Sequence, residues 1–358
     1  MTTGDAITLP GGITQRQVAD AIGVSISTVS RTLAGNSQVS ARTRSDVLRA
    51  IERLQRTAGE ARSAARRQMI ALTHSHAVEG PPVRSLDIIL EQVLGGAEAA
   101  ARQAGYMLYT VQNSRLLRDE SDDPEFEDVR GVILAGGLVA RPLVETIREH
   151  GLPVVIIGGH LPDTDIPSVA SNSLEGVREA VAHLISLGHR RIGLVNGPSE
   201  TYTSIEKKAG YLTALAEAGI ASDPSLIRWH DGLSGFDVDD AIAMTGELLD
   251  LPERPTAIAF ASDGMALAGI AACRARGLTV PADVSITGFH DDPDARMALP
   301  RLTTVRVNRP EWGAAALRRM LVALEDPQLV ADRLLLPTRL VIRESTAPPA
   351  NPERKNLS

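Results

Sequence analysis

Hydrophobic positions fall into two patterns along the chain. Up to about residue 68 they are sparse and recur at helical spacing: Val18, Ala19 and Ile22, then Val29 and Leu33, then Val47, Leu48, Ile51 and Leu54. Each set marks one face of a short helix, because positions three and four apart stack on the same side. Thr14 stands where an N-cap opens the first helix, which the pattern carries to about Ile22. Gly23 supplies the permissive backbone of a tight turn. Ser25 caps the second helix and Ser40 the third, "ARTRSDVLRAIERL". The apolar stripe of the second helix is thin, and its outer face is Ile26, Ser27, Thr28 and Arg31.

From Met69 short apolar runs alternate with amphipathic stretches: "MIALT", "YMLYTV", "GVILAG", "PVVIIGG", "RIGLVNG", "LIRWHDG", "AIAFAS" and "VSITGF", with helical patterns between them and Gly or Pro at most junctions. This alternation predicts parallel sheets covered by helices on both faces. Some 280 residues are too many for one small doubly wound sheet, so two subdomains are expected. Ligands of such sheets sit beyond the carboxyl ends of the strands, so the residues that follow each strand are the ones to examine for chemistry. Between the two patterns lies "RTAGEARSAARRQ", basic and without large apolar groups, a linker or a helix that needs outside support. The end, "STAPPANPERKNLS", is polar and proline-rich, which predicts disorder over 346–358.

Composition narrows the setting. The single cysteine, Cys273, excludes an internal disulfide and a multi-cysteine metal site and points to a reducing compartment. The start "MTTGDAITLP" has no basic and apolar leader, and the longest apolar stretches are about ten residues, too short to span a bilayer. A soluble, cytoplasmic protein with no membrane partner is expected. Charge is uneven. Residues 1–68 hold ten Arg, no Lys and five acids, about +5, whereas the whole chain is at −7. A basic head on an acidic body either meets a polyanion or is a solvated helical surface.

Three short helices with a glycine turn make a helix-turn-helix, whose second helix is slim enough for the DNA major groove. Arg31 is able to pair bidentately with guanine or to hold a surface ion pair, and the hydroxyls of Thr14, Ser25 and Ser40 suit phosphate oxygens as well as helix caps. The run "ITQRQVADAIGVSISTVSRTLAGNSQVSARTRSDVLRAIERL" resembles the DNA-binding head of the lactose-repressor (LacI/GalR) family of bacterial transcription regulators. The likeness continues through "LISLGHRRIGLVNGP", "GYLTALAEAGI", "RPTAIAFASDGMALAGIAACRARGLTVPADVSITGF", "LTTVR" and "LPTRLVIREST".

This resemblance implies a double-stranded DNA operator read by a homodimer, with Ile26, Ser27, Arg31 and Gln38 at base edges and Thr14, Ser25, Thr28 and Ser40 on phosphates. It also implies a hinge helix that wedges a leucine into the minor groove. Here the leucine slot holds Ala64 or Ala65, depending on a one-residue gap, and Arg56, Thr57 and Ala58 replace the usual Tyr-x-Pro. Weaker bending is therefore expected, with Arg62, Arg66 and Arg67 on phosphates. The implied fold is an N-terminal all-α head, 1–57, a hinge, 58–67, and a periplasmic-binding-protein-like core, 68–345. Its two doubly wound parallel-sheet subdomains would span about 68–168 with 292–325, and about 169–291 with 326–345. The family's tetramers use a C-terminal leucine heptad. None follows Val341, so a dimer is expected.

Sugar-binding members hold their ligand with carboxylates, an Arg and an Asn. Here Gly158, Lys207, Ser262 (before Asp263) and His290 stand at such positions, and His230, beside Trp229, stands where a stacking aromatic often sits. Five histidines, His74, His76, His160, His230 and His290, follow predicted strands. Converging on the cleft, they would make the small-molecule effector something other than a typical neutral sugar. An anionic or aromatic ligand fits better, or an imidazole-held metal ion; the plain alternative is that each histidine is solvated at a loop start. No cofactor is called for. Two other classes share such a core, an enzyme and an exported solute-binding protein. Nucleophile-elbow, phosphate-loop and His-Glu-x-x-His motifs are missing, Cys273 lies in a predicted helix, and the head has no place in an exported protein.

Overall fold

The computed structural model describes residues 14–36, 38–66, 69–74, 84–111, 129–137, 139–230, 238–326 and 332–350, with backbone alone at 55–66, 74 and 84–89. Two compact units make up the chain, Met1–Gln68 and Met69–Ser358.

In the first unit, helices α1 (Gln15–Ile22), α2 (Ile26–Leu33) and α3 (Ala41–Arg66) follow one another. Thr14 opens α1 with a reciprocal box: its hydroxyl accepts the Gln17 N–H at 3.3 Å, and the Gln17 side-chain oxygen accepts the Thr14 N–H at 2.8 Å. Gly23 ends the helix at φ 69°, a left-handed backbone that a Cβ resists. The three apolar sets close on one core of Val18, Ala19, Val29, Leu33, Val47, Ala50 and Ile51. The backbone of the segment given to the hinge is helical up to Arg66 and continuous with α3, as its alanines and arginines, both strong helix formers, favour.

In the second unit, one sheet contains β1 (Met69–His74), β2 (Met107–Thr110), β3 (Val129–Ala135), β4 (Val154–Ile157), β5 (Ser168–Ser171) and β11 (Arg333–Leu336). Their order is β2-β1-β3-β4-β5-β11, every pair parallel. A second sheet contains β6 (Ile192–Asn196), β7 (Ile227–Trp229), β8 (Ala257–Phe260), β9 (Ser285–His290), β10 (Thr303–Arg306) and β12 (Arg339–Val341), in the order β7-β6-β8-β9-β10-β12. One edge strand departs from the parallel pattern of this sheet. β12 runs antiparallel to β10, since the chain enters it straight from β11 with no helix to reverse its direction.

The helices are α4 (Arg84–Ala104), α5 (Arg141–Glu149), α6 (Ser173–Ser186), α7 (Tyr202–Glu217), α8 (Val238–Leu249), α9 (Asp263–Ala275), α10 (Pro293–Met297) and α11 (Arg309–Glu325). Alternate residues of a strand serve opposite cores. On β3, Ile133 and Ala135 join α4 and α11, while Val132 and Leu134 join α5. Burial on both faces is why the strands read as continuous apolar runs.

The expected subdomain limits at 168/169, 291/292 and 325/326 move. β5 stays in the first sheet to Ser171, β10 stays hydrogen-bonded to β9, and β11 pairs with β5, so the later crossovers fall between Arg306 and Arg309 and between Leu336 and Arg339. The start of the tail is also ordered. Ala347 N–H donates to Ser285 Oγ at 3.0 Å, its carbonyl lies 2.9 Å from His189 Nε2, and Thr346 Oγ1 lies 3.0 Å from His183 Nε2. Residues 351–358 lie outside the described chain.

Candidate functional site

On the head, α2 turns Val29, Thr32 and Leu33 inward. Ile26, 42% exposed, is left outside with Ser27 and Arg31. Ser25 Oγ accepts the Thr28 N–H at 3.2 Å and bonds the hydroxyls of Ser27 at 2.9 Å and Thr28 at 2.8 Å, so the start of the helix presents a cluster of three hydroxyls. Arg31 donates from Nε to the Ser27 carbonyl at 3.2 Å, which leaves the ends of its guanidinium clear of the helix. Ser40 Oγ takes the Thr43 N–H at 3.1 Å, and Gln38 is exposed beside it.

In the second unit a cavity of about 160 Å³ opens at the carboxyl ends of the strands of both sheets. Its wall includes Gly136 and Gly137 after β3, Gly158 after β4, Ser171 of β5, Phe289 and His290 of β9, Lys207 of α7 and Trp312 of α11. Lys207, 7% exposed, donates to the Ala261 carbonyl at 2.9 Å and lies 4.6 Å from the centre of the Phe289 ring. Burial, then the nearby Arg309 charge, pushes its ammonium down to about 8 against the pull of Asp263. The His290 imidazole is held well below its ordinary range by burial, Arg309 and Lys207, in that order. Its backbone, at φ 117°, is in a region few side-chain-bearing residues adopt.

Residues 14–55 match the family described as bacterial regulatory proteins, lacI family, and residues 181–346 match the periplasmic binding protein-like domain. Catabolite control protein A of Priestia megaterium is 32% identical over 344 residues, which span 93% of this chain and 99% of that one. The chain belongs to the LacI family. Solved structures agree: a transcriptional regulator CelR–cellobiose complex (29% identity, covering 93% of this chain and 99% of that one) and the lac repressor dimer bound to operator and the anti-inducer ONPF (26%, 94% and 99%) both superpose with a TM-score of 0.68. Like its family, this protein is a DNA-binding transcriptional regulator with an effector-binding core, and it is not an enzyme. Among the described residues no helix is long and apolar enough to cross a membrane.

Of the residues expected at the LacI-type cleft, Lys207, His290 and Gly158 line the cavity. Asp263 and Ser262 stand behind it. Asp263 accepts from Thr304 Oγ1 and, at 2.7 Å, from the Asp292 N–H, while Ser262 caps α9. His160 lies off the wall, 3.3 Å from Ser168 Oγ and edge-on to Tyr202. His230 sits 3.1 Å from Asp240, and Trp229 lies under the Lys208 ammonium. Of the three histidines whose side chains are described, His290 lines this cavity and His160 and His230 do not. His160 comes two residues after Gly158, which does line the wall, and His230 follows the edge strand β7. The His74 side chain and His76 lie outside the described residues, as do the side chains of Arg62, Ala64, Ala65 and Arg66 and the whole of Arg67. No group of three metal-ligating side chains occurs among the described residues. Trp312 and Arg309 were not foreseen. An arginine flanked by Asn308 and Pro310 reads as a surface residue, yet Arg309 is 1% exposed.

Proposed function

We propose that this regulator is a cytoplasmic homodimer that represses transcription at a pseudo-palindromic operator, and that a small molecule in the core cleft adjusts its hold. Ile26, Ser27, Arg31 and Gln38 contact bases; Thr14, Ser25, Thr28 and Ser40 contact phosphates; Arg62, Arg66 and Arg67 add hinge contacts. The observation that carries this reading is α2 itself. A helix that spends its inner face on the head core and exposes an isoleucine, hydroxyls and a guanidinium has the make-up of a base-reading surface. A solved relative held as a dimer on its operator supports it further. The expected ligand effect is a coupling between two sites, equal in both directions.

Selection of duplexes from a random pool by the purified full-length protein tests this. Two inverted half-sites with centres about one helical turn apart are expected. Enrichment of a single unpaired half-site, or of no motif, would refute it.

A further inference from the structure

The charge around the cavity identifies what it takes. Lys207 uses one of its three N–H donors on the Ala261 carbonyl, and no other hydrogen-bond partner is present among the described residues. One helical turn before Trp312, Arg309 meets Asp292 and, at 3.4 Å, Gln92, both through Nη1. Its Nε and Nη2 are buried without a partner among the described residues, and so is the indole N–H of Trp312. Buried donors of this kind are costly unless something accepts from them.

Counter-charge is short. Asp292 serves Arg309, but Asp263, the carboxyl whose charge acts on Lys207, is committed to Thr304 and the Asp292 N–H and is pushed up to about 7 by burial. His290 stays neutral. The rest of the wall is largely apolar, with Leu90, Val93, Ile157, Phe289 and Trp312. Among the described residues no carboxylate or carboxamide side chain lines it, and of its hydroxyls Ser171 and Ser173 bond each other at 3.2 Å. A polyol would find few acceptors here. A volume near 160 Å³ compares with the roughly 150 Å³ of a cavity that holds benzene.

We infer that the effector is a small organic carboxylate, its anionic end held by Lys207, with the buried Arg309 charge behind the wall adding long-range attraction, and its compact apolar body, about the size of one six-membered ring, packed between Phe289 and Trp312. This rests on the reading of the core as the effector site and names the ligand class for it. The carboxylate accepts from the unused N–H donors of Lys207 and supplies the charge that Lys207 lacks.

Calorimetric titration of the full-length protein with benzoate, benzamide and D-glucose tests the inference. Benzoate should bind at least about tenfold more tightly than benzamide, and glucose should give no heat. Between about pH 7 and about pH 9 benzoate affinity should fall about tenfold, as Lys207 loses its proton from a value near 8. Ionisation of Asp263 acts in the same direction, whereas His290 stays neutral and benzoate stays ionised. Lys207→Met should abolish the preference for benzoate over benzamide; Lys207→Arg should keep it and flatten the pH dependence, with circular dichroism melts confirming that both fold. Equal binding of benzamide, binding of glucose, a pH-independent benzoate affinity or no benzoate binding would each overturn the inference. A protein that selects a palindrome yet prefers benzamide leaves the regulatory reading standing. One that binds benzoate as described but selects no palindrome supports the ligand class and refutes that reading.

Discussion

At Gly158 the backbone lies at φ 80° and a Cβ would meet the Trp312 ring at 3.6 Å, so space is ordinary but conformation is not. A glycine that looked like a lost acid is thus also demanded by the turn after β4. Gly158→Ala should cost about 1–3 kcal/mol in a reversible denaturation experiment; an unchanged midpoint would mean that the loop relaxes without strain. Ser25 raises a different question, since its hydroxyl caps α2 and is also proposed to hold a phosphate. Glycine retains most of a serine cap's effect, within a few tenths of a kcal/mol, so Ser25→Gly should leave the melting curve nearly unchanged while weakening operator binding several-fold. Unaltered DNA affinity would reduce Ser25 to its capping role.

Helix-scale packing is sharpest between α4 and α11. A Cβ on Gly313 would fall on the Val93 carbonyl, and one on Gly96 on the carbonyl of Pro310, so the two backbones touch. Gly313→Ala should therefore destabilise the core by at least the 1–3 kcal/mol typical of overpacking, visible as an earlier urea midpoint. For the hinge, a circular-permutation gel assay should give a smaller bend than for relatives with a leucine wedge, since the methyl of Ala64 or Ala65 unstacks a base step poorly; a full-sized kink would contradict this. Most elements were legible because burial on one face or on both leaves a period in the sequence. What escaped depends on partners distant in the chain. β10 and β11 join sheets through neighbours that no local pattern names, and Ala347 is held by Ser285 and His189. The cleft was half legible for the same reason. His290 ends the central strand β9 and Lys207 sits on the helix that follows β6, whereas His230 follows an edge strand, and nothing local marks Arg309 as buried.

For the molecule as a whole, the separation of charge matters most. A head near +5 on a chain of net −7 confines attraction for DNA to one end. Operator affinity should fall at least about tenfold between about 50 and about 200 mM salt, as phosphate-bound cations are displaced; a flat response would remove the electrostatic part of the account. The central claim is that α2 reads base edges while a cleft elsewhere in the chain tunes its grip. Fluorescence anisotropy with the selected palindrome and a scrambled duplex, comparing the wild type with Arg31→Ala, tests it most directly. Loss of a bidentate guanine contact, worth about 1–3 kcal/mol, should cut the preference for the palindrome by roughly five- to 150-fold per half-site and leave binding to the scrambled duplex nearly unchanged. A preference that survives Arg31→Ala intact would contradict the account.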